Sequence, residues 1–326
     1  MKKSVNITNA PYLDNLLIFF PFWIPLFYIA LIKIFPTSAT IIFIGILFIL
    51  AETHFGISFF FFFDKNNHKW IKDNSYKIIF LPIYLLSIAI GIWFFNPQIV
   101  ILIHYLSSGW HVTRQSIGIL KIRTSETRFN SFLIYLISGC CLFIGLLEPG
   151  IFAAVSSNLS MLLIASVMST YILLIYLSEN YLTNFFNKLF PLITGISIYL
   201  PILFFKDLTT STAIGVGMHW FQYLSLMWII DIRKSRFFNT QKTAIHKKRN
   251  FTNRKILFLV LYSLLMTILT SFGASSINSE KGISFLYLIP ILFHFFHFYL
   301  DGFIWKFSDP HIKKVMAGNL FTSANN

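Results

Sequence analysis

Apolar runs about as long as a bilayer is thick follow one another along the whole chain, and they leave few folds open to it. A membrane-crossing helix needs about 20 largely apolar residues. Runs of that kind fall at roughly 12–35, 40–63, 77–95, 98–120, 131–147, 160–178, 189–205, 212–230, 255–274 and 284–305. Hydrocarbon satisfies no backbone N–H or C=O, so such runs must be helices, and they are too long and too evenly apolar for the strands of a barrel. The prediction is an all-α fold, a polytopic transmembrane helical bundle of about ten spans, with residues 1–326 as a single transmembrane helical domain. Hydrophobic residues at 56% against charged residues at 12% exclude an ordinary water-soluble globule, which needs more polar surface.

Charge supports the same reading. The chain has 26 Lys and Arg against 12 Asp and Glu, a formal +14, which in a soluble protein would raise the question of nucleic acid. Here the basic residues lie between apolar runs. With the N-terminus in the cytoplasm, all of them but Lys33, Lys206, Lys281 and Arg114 fall in cytoplasmic segments, as the positive-inside rule requires. Both termini are therefore expected in the cytoplasm, with anionic membrane lipids as partners and no nucleic acid. A multi-pass integral protein of the bacterial inner membrane is the expected setting. The longest polar segment, 231–254, reads as a solvated cytoplasmic connector. The N-terminal apolar run is too long for a signal-peptide core and reads as a retained anchor. Cys140 and Cys141 are adjacent in one run, so they neither staple distant loops nor show metal-ligand spacing, and they read as packing or lipid-facing residues.

Ionisable groups inside such runs are costly and mark function unless they reach an interface. Of nine histidines, His68, His246 and His311 lie in polar segments and the other six lie in apolar runs. The second run carries Glu52 and His54 in AETHFGIS. The fourth carries His104 and His111, seven residues or nearly two turns apart, with Ser108 and Gln115 on the same stripe. The eighth carries His219 and Gln222 in GMHWFQY, sharing a face at a three-residue offset. The tenth carries His294, His297 and Asp301 in FHFFHFYLDGFIWK. Four helices thus offer imidazoles at compatible depths, and the expectation is one intramembrane centre built from inward stripes.

Imidazole suits iron, copper and zinc, and several neutral His ligands with nearby carboxylates leave positions open for oxygen or substrate. His54, His111, His294 and His297 are the foremost ligand candidates, followed by His104 and His219. Asp301 and Glu52 would ligate, handle protons, or accept the second ring proton of a liganding His; Gln115 and Gln222 suit that last role too. Arg114, near the inner end of its run, snorkels to the interface or meets a headgroup or anionic substrate. Trp110, Trp220 and Trp305 suit packing or interfacial anchoring, and an aromatic wall beside a metal would suit a lipid or polyene. Two other readings of the same residues stand: a proton or metal-ion path in a transporter or channel, and histidines that only hold helices together. The absence of an inverted repeat or of paired Gly/Pro-broken runs weighs against a transporter.

Two of these segments resemble motifs of the bacterial integral-membrane β-carotene 15,15′-dioxygenases, the Brp/Blh family. They are His54, Phe55 and Gly56, and His297 four residues before Asp301. The resemblance covers short patches only. It implies an all-helical membrane fold and histidine-bound non-haem iron that cleaves a carotenoid with oxygen. Membrane fatty-acid desaturases and hydroxylases also gather histidines from several helices, and the HFFH of 294–297 is similar to their logic. The expectation is a metal-dependent membrane oxidoreductase holding one or two iron ions. It would oxidise a carotenoid or fatty-acyl lipid by cleavage, hydroxylation or desaturation, with an electron donor as a further partner.

Overall fold

The computed structural model describes residues 7–8, 10–124, 128–148, 150–151, 182–237, 245–276 and 281–321; among them every regular element is helical and no strand occurs. A segment Pro11–Phe19 bends by 59° into α1, Trp23–Ile34. The longer helices that follow are α2 (Pro36–Ile57), α3 (Tyr76–Phe95), α4 (Pro97–Arg123), α5 (Arg128–Leu147), α6 (Leu182–Ser197), α7 (Leu208–Phe237), α8 (Ile245–Ser276) and α9 (Lys281–Ile304). Their ends are written in the sequence. Pro36 and Pro97 occupy first-turn positions where a missing N–H costs nothing, and the Asn96 side chain accepts the N–H of Gln98 at 3.0 Å. Asp207 likewise takes the Thr210 N–H at 2.8 Å ahead of α7.

Among the described residues six helices are long and apolar enough to cross a membrane, within α2, α3, α5, α7, α8 and α9, and the bent pair at the N-terminus would make a seventh. About ten were expected, and the shortfall has three sources. The run at 98–120 is a continuous helix, α4, but its histidines, Arg114 and Gln115 make it too polar to count. The run at 189–205 is divided between α6, which contains Pro191, and a short turn Pro201–Phe204. The run at 160–178 lies outside the described residues. In the segment 231–254, expected as a solvated connector, the described residues are helical up to Phe237 and again from Ile245. Its charges are partly engaged, with Lys234 on Asp64 at 3.1 Å and Lys255 paired with Asp231.

The chain divides into two compact units, Met1–Phe43 with Gly109–Gln222, and Ile44–Ser108 with Tyr223–Asn326. In the first, Ile117, Leu120, Ile134, Leu189 and Leu192 form a buried core among α4, α5 and α6. Polar clips fix the N-terminal segment to it. The Thr194 hydroxyl donates to Phe19 O at 2.8 Å, the Gln222 amide donates to Ile18 O, and buried Asp14 accepts the N–H groups of Ile7 and Thr8. In lipid, where helices gain little by leaving one apolar surrounding for another, such bonds and tight packing are what join them.

In the second unit α3, α4 and α9 share a core of Trp93, Val100, Leu288 and Ile291. Helices α8 and α9 touch through backbone: a Cβ on Gly273 would lie 2.4 Å from Tyr287 N. Gly56 likewise admits the Tyr262 ring, whose Cδ1 is 2.7 Å from where a Cβ would stand. Just ahead of it, α2 widens into a π-helical stretch, Leu47–Glu52, and the Thr53 hydroxyl donates to Phe48 O at 2.8 Å. Such stretches insert one residue into an α-helix and recur at functional sites. After α9, Asp309 caps the short turn Pro310–Ile312 and accepts the Trp70 indole N–H at 3.1 Å.

Candidate functional site

In the second unit α2, the latter half of α7 and α9 bring together His54, Ser58, Tyr223, His297 and Asp301, all essentially buried. Polar groups at such depth must satisfy one another, and the pattern of bonds fixes their protons. The Tyr223 hydroxyl donates to Asp301 Oδ1 at 2.7 Å. Tyrosine has one proton to give, so in the 2.8 Å contact between Tyr223 and Ser58 the serine is the donor. Ser58 then accepts in its 2.7 Å contact with His297 Nδ1, which places the imidazole proton on Nδ1. His297 Nε2 is left as a lone pair, and it faces Asp301 Oδ2 at 3.7 Å. The His54 ring stands edge-on to that of His297, with centroids 4.5 Å apart, and is equally close to the Tyr223 ring. Two imidazoles and a carboxylate thus converge within one unit.

A second series lies beside the first, with Phe55 between. The Phe55 ring stacks on His294 with centroids 3.8 Å apart and lies 5.1 Å from His297. His294 is held at both nitrogens: Nδ1 is 3.1 Å from His104 Nε2, and Nε2 is 3.2 Å from Glu52 Oε2. The other oxygen of Glu52 accepts the Thr270 hydroxyl at 3.2 Å. Glu52, 1% exposed, is therefore bonded to α8 and α9 rather than left bare, as a carboxyl group in an apolar interior requires.

The remaining sequence candidates belong to the first unit. His111 and His219 are buried with rings 5.5 Å apart and nearly perpendicular. Gln222 is buried against Ile18, and Gln115 is half-buried on α4. Arg114 is exposed, and Trp110 is exposed and stacked on Tyr135 at 5.5 Å, so both lie on the outer face of the unit. In the second unit the carboxylates Asp301 and Glu52 each sit within reach of an imidazole, Asp301 of His297 four residues before it and Glu52 of the distant His294. Ser58, Tyr223 and Thr270 were not anticipated. Ser58 is one turn beyond His54 on α2 and Tyr223 follows Gln222 in GMHWFQY, so helical offsets from the histidines were the available signal.

Phe55, Tyr223 and Phe298 stand against the histidines of α2 and α9, and Phe59, Phe258, Tyr262, Phe293 and Phe296 pack ring on ring in the same unit, giving it an apolar, aromatic character. Compared with family models, with curated proteins and with solved structures, the chain matches none.

Proposed function

We propose that this multi-pass helical protein is a membrane-embedded, histidine-ligated oxygenase that binds non-haem iron and acts on a lipophilic substrate such as a carotenoid or fatty-acyl lipid. The observation that supports this best is the approach of His297 Nε2 to a carboxylate oxygen of Asp301 at 3.7 Å, beside the ring of His54. Two histidines and one carboxylate are the donor set that holds iron on one side and leaves other positions open. His54, His297 and Asp301 would hold the ion. Iron bound there supplies the one-electron chemistry by which dioxygen reacts with an unactivated hydrocarbon. The protein's own part is positional. Ser58 locks the His297 tautomer, Tyr223 fixes the Asp301 carboxylate, and the surrounding rings exclude water from the site. The resemblance to the Brp/Blh family favours the same metal and an apolar substrate.

His111 and His219 of the first unit are imidazole donors as well, and iron stoichiometry tells whether the protein holds one ion or two. The distribution of Lys and Arg favours cytoplasmic termini and a bacterial inner membrane, where an electron donor would dock. The test is elemental analysis of the purified protein together with lipid-extract profiles of cells with and without it. Stoichiometric iron and an oxidised lipid are the expected result. His297→Ala loses iron while still inserting, and full iron occupancy in that variant would remove the assignment; a partial loss in His111→Ala would mark a second ion.

A second reading is supported by a different observation. His104, His294, Glu52 and Thr270 form a hydrogen-bonded series running from α4 through α9 and α2 to α8, the layout of a proton path in a transporter or channel. Proton flux into liposomes from an iron-free protein would favour it over the oxygenase.

A further inference from the structure

The series that starts at Glu52 ends on His104, whose Nδ1 is buried and has no hydrogen-bond partner among the described residues. Its other nitrogen is committed to His294. With both imidazoles neutral, two arrangements of protons let every bond in the series form. In one, Glu52 is a carboxylate accepting from His294 Nε2–H, His294 Nδ1 accepts from His104 Nε2–H, and His104 Nδ1 is a bare acceptor. In the other, Glu52 donates, each imidazole passes its proton one step along, and His104 Nδ1 carries an N–H. An ammonium or amide N–H would serve only the first arrangement and a carbonyl only the second. A hydroxyl both donates and accepts, and so completes either.

What bears that hydroxyl follows from the surroundings. The rings of Tyr105, Phe295 and Phe298 stand 5.9, 5.8 and 5.8 Å from that of His104. On the same helix Leu102 and Leu106, on the face away from His104, and Ile103 beside it are exposed, so the helix as a whole meets an apolar surrounding. We infer that His104 Nδ1 is the docking point for the hydroxyl of an otherwise apolar, lipid-borne ligand of the long-chain alcohol class. On the oxygenase reading, which this inference deepens by naming the substrate's polar group, that ligand is the substrate; the binding itself does not depend on iron. His294 acts here as a positioning residue, holding the His104 ring from Glu52.

The test uses the full chain in lipid nanodiscs, treated with chelator, with radiolabelled hexadecan-1-ol and hexadecane as probes. The wild type is expected to bind the alcohol about tenfold more tightly relative to the alkane than His104→Phe does, which corresponds to about 1.4 kcal/mol. The variant keeps a ring of similar size and loses the nitrogen. The same alcohol carrying a diazirine beside its hydroxyl is expected to crosslink to Tyr105, Phe295 or Phe298 in the unaltered protein, a readout independent of how the variant folds. An alcohol-to-alkane ratio equal in wild type and variant, as water alone at His104 would give, overturns the inference, as do crosslinks confined to other segments. Alcohol binding at His104 in a protein that never holds iron would end the oxygenase reading and keep this one; iron without the alcohol preference would do the reverse.

Discussion

Ser58→Ala separates a metal centre from a merely hydrogen-bonded core. The serine accepts from His297 Nδ1 at 2.7 Å and donates to Tyr223 at 2.8 Å, and it is buried, so alanine fills nearly the same space and adds no cavity. Tyr223 retains its bond to Asp301. The His297 N–H loses the serine as acceptor, which costs about 1–3 kcal/mol of stability for a buried polar group. The larger effect falls on the metal. Without Ser58 nothing in the series holds the proton on Nδ1, the Nε2 lone pair is no longer guaranteed toward Asp301, and loss of such an orienting partner lowers metal affinity by about 10- to 100-fold. Iron affinity is measured by chelator competition, and stability by denaturation of the metal-free protein. Thr53→Ala is the control on the same helix: it breaks the 2.9 Å bond to Ser263 and is expected to reduce stability alone. Unchanged iron affinity in Ser58→Ala, or an equal loss of affinity in Thr53→Ala, would refute the reasoning.

Asp301→Asn is expected to abolish iron binding in elemental analysis while leaving insertion intact, because an amide oxygen can still accept from Tyr223. Gly273→Ala is expected to lower stability by about 1–3 kcal/mol, since its Cβ would lie 2.4 Å from Tyr287 N; an unchanged thermal melt would contradict the close approach of α8 and α9. Acid should loosen the turn after α9 in two stages. Burial holds the His311 imidazole below its usual 6.5, despite the nearby carboxylates of Asp309 and Asp64. The folded state therefore favours the neutral ring, and stability declines as pH falls below 6.5. For Asp309 burial works against the charge, but hydrogen bonds from the Ile312 N–H, the Trp70 indole and the His311 N–H outweigh it and keep the carboxyl below its usual 3.8. That contribution is complete above 3.8 and is lost as pH drops through the lower folded value. The fluorescence difference between wild type and Trp70→Phe should follow both stages, because Trp70 stacks on His311 and donates to Asp309; a flat difference over that range would count against the assignment.

Which chain segments are helical, and which histidines lie among apolar neighbours, could be read from hydropathy, because the cost of bare backbone in lipid leaves no alternative. The offset of four between His297 and Asp301 likewise survives directly in α9, since helical geometry alone brings them together. Span number was less legible. In α4 the polar groups that mark the site also depress the apolar signal by which a span is counted. Ser58 and Tyr223 were invisible for another reason: their partners are 239, 165 and 78 residues away in sequence, and nothing in local spacing distinguishes a serine or tyrosine that completes a distant bond from one that does not. The engagement of both His294 nitrogens was hidden in the same way.

The widened stretch Leu47–Glu52 makes α2 sensitive to length in a manner no hydropathy profile would register. Because it already holds one residue more than an ordinary helix would, removing a single amino acid from it would let the coil tighten to ordinary pitch and leave everything downstream facing as before. A deletion in the ordinary turn that follows has no such slack: it would swing the residues beyond it by about 100° around the axis. Ser58 would then turn away from α9, with the segment still just as greasy and just as able to insert.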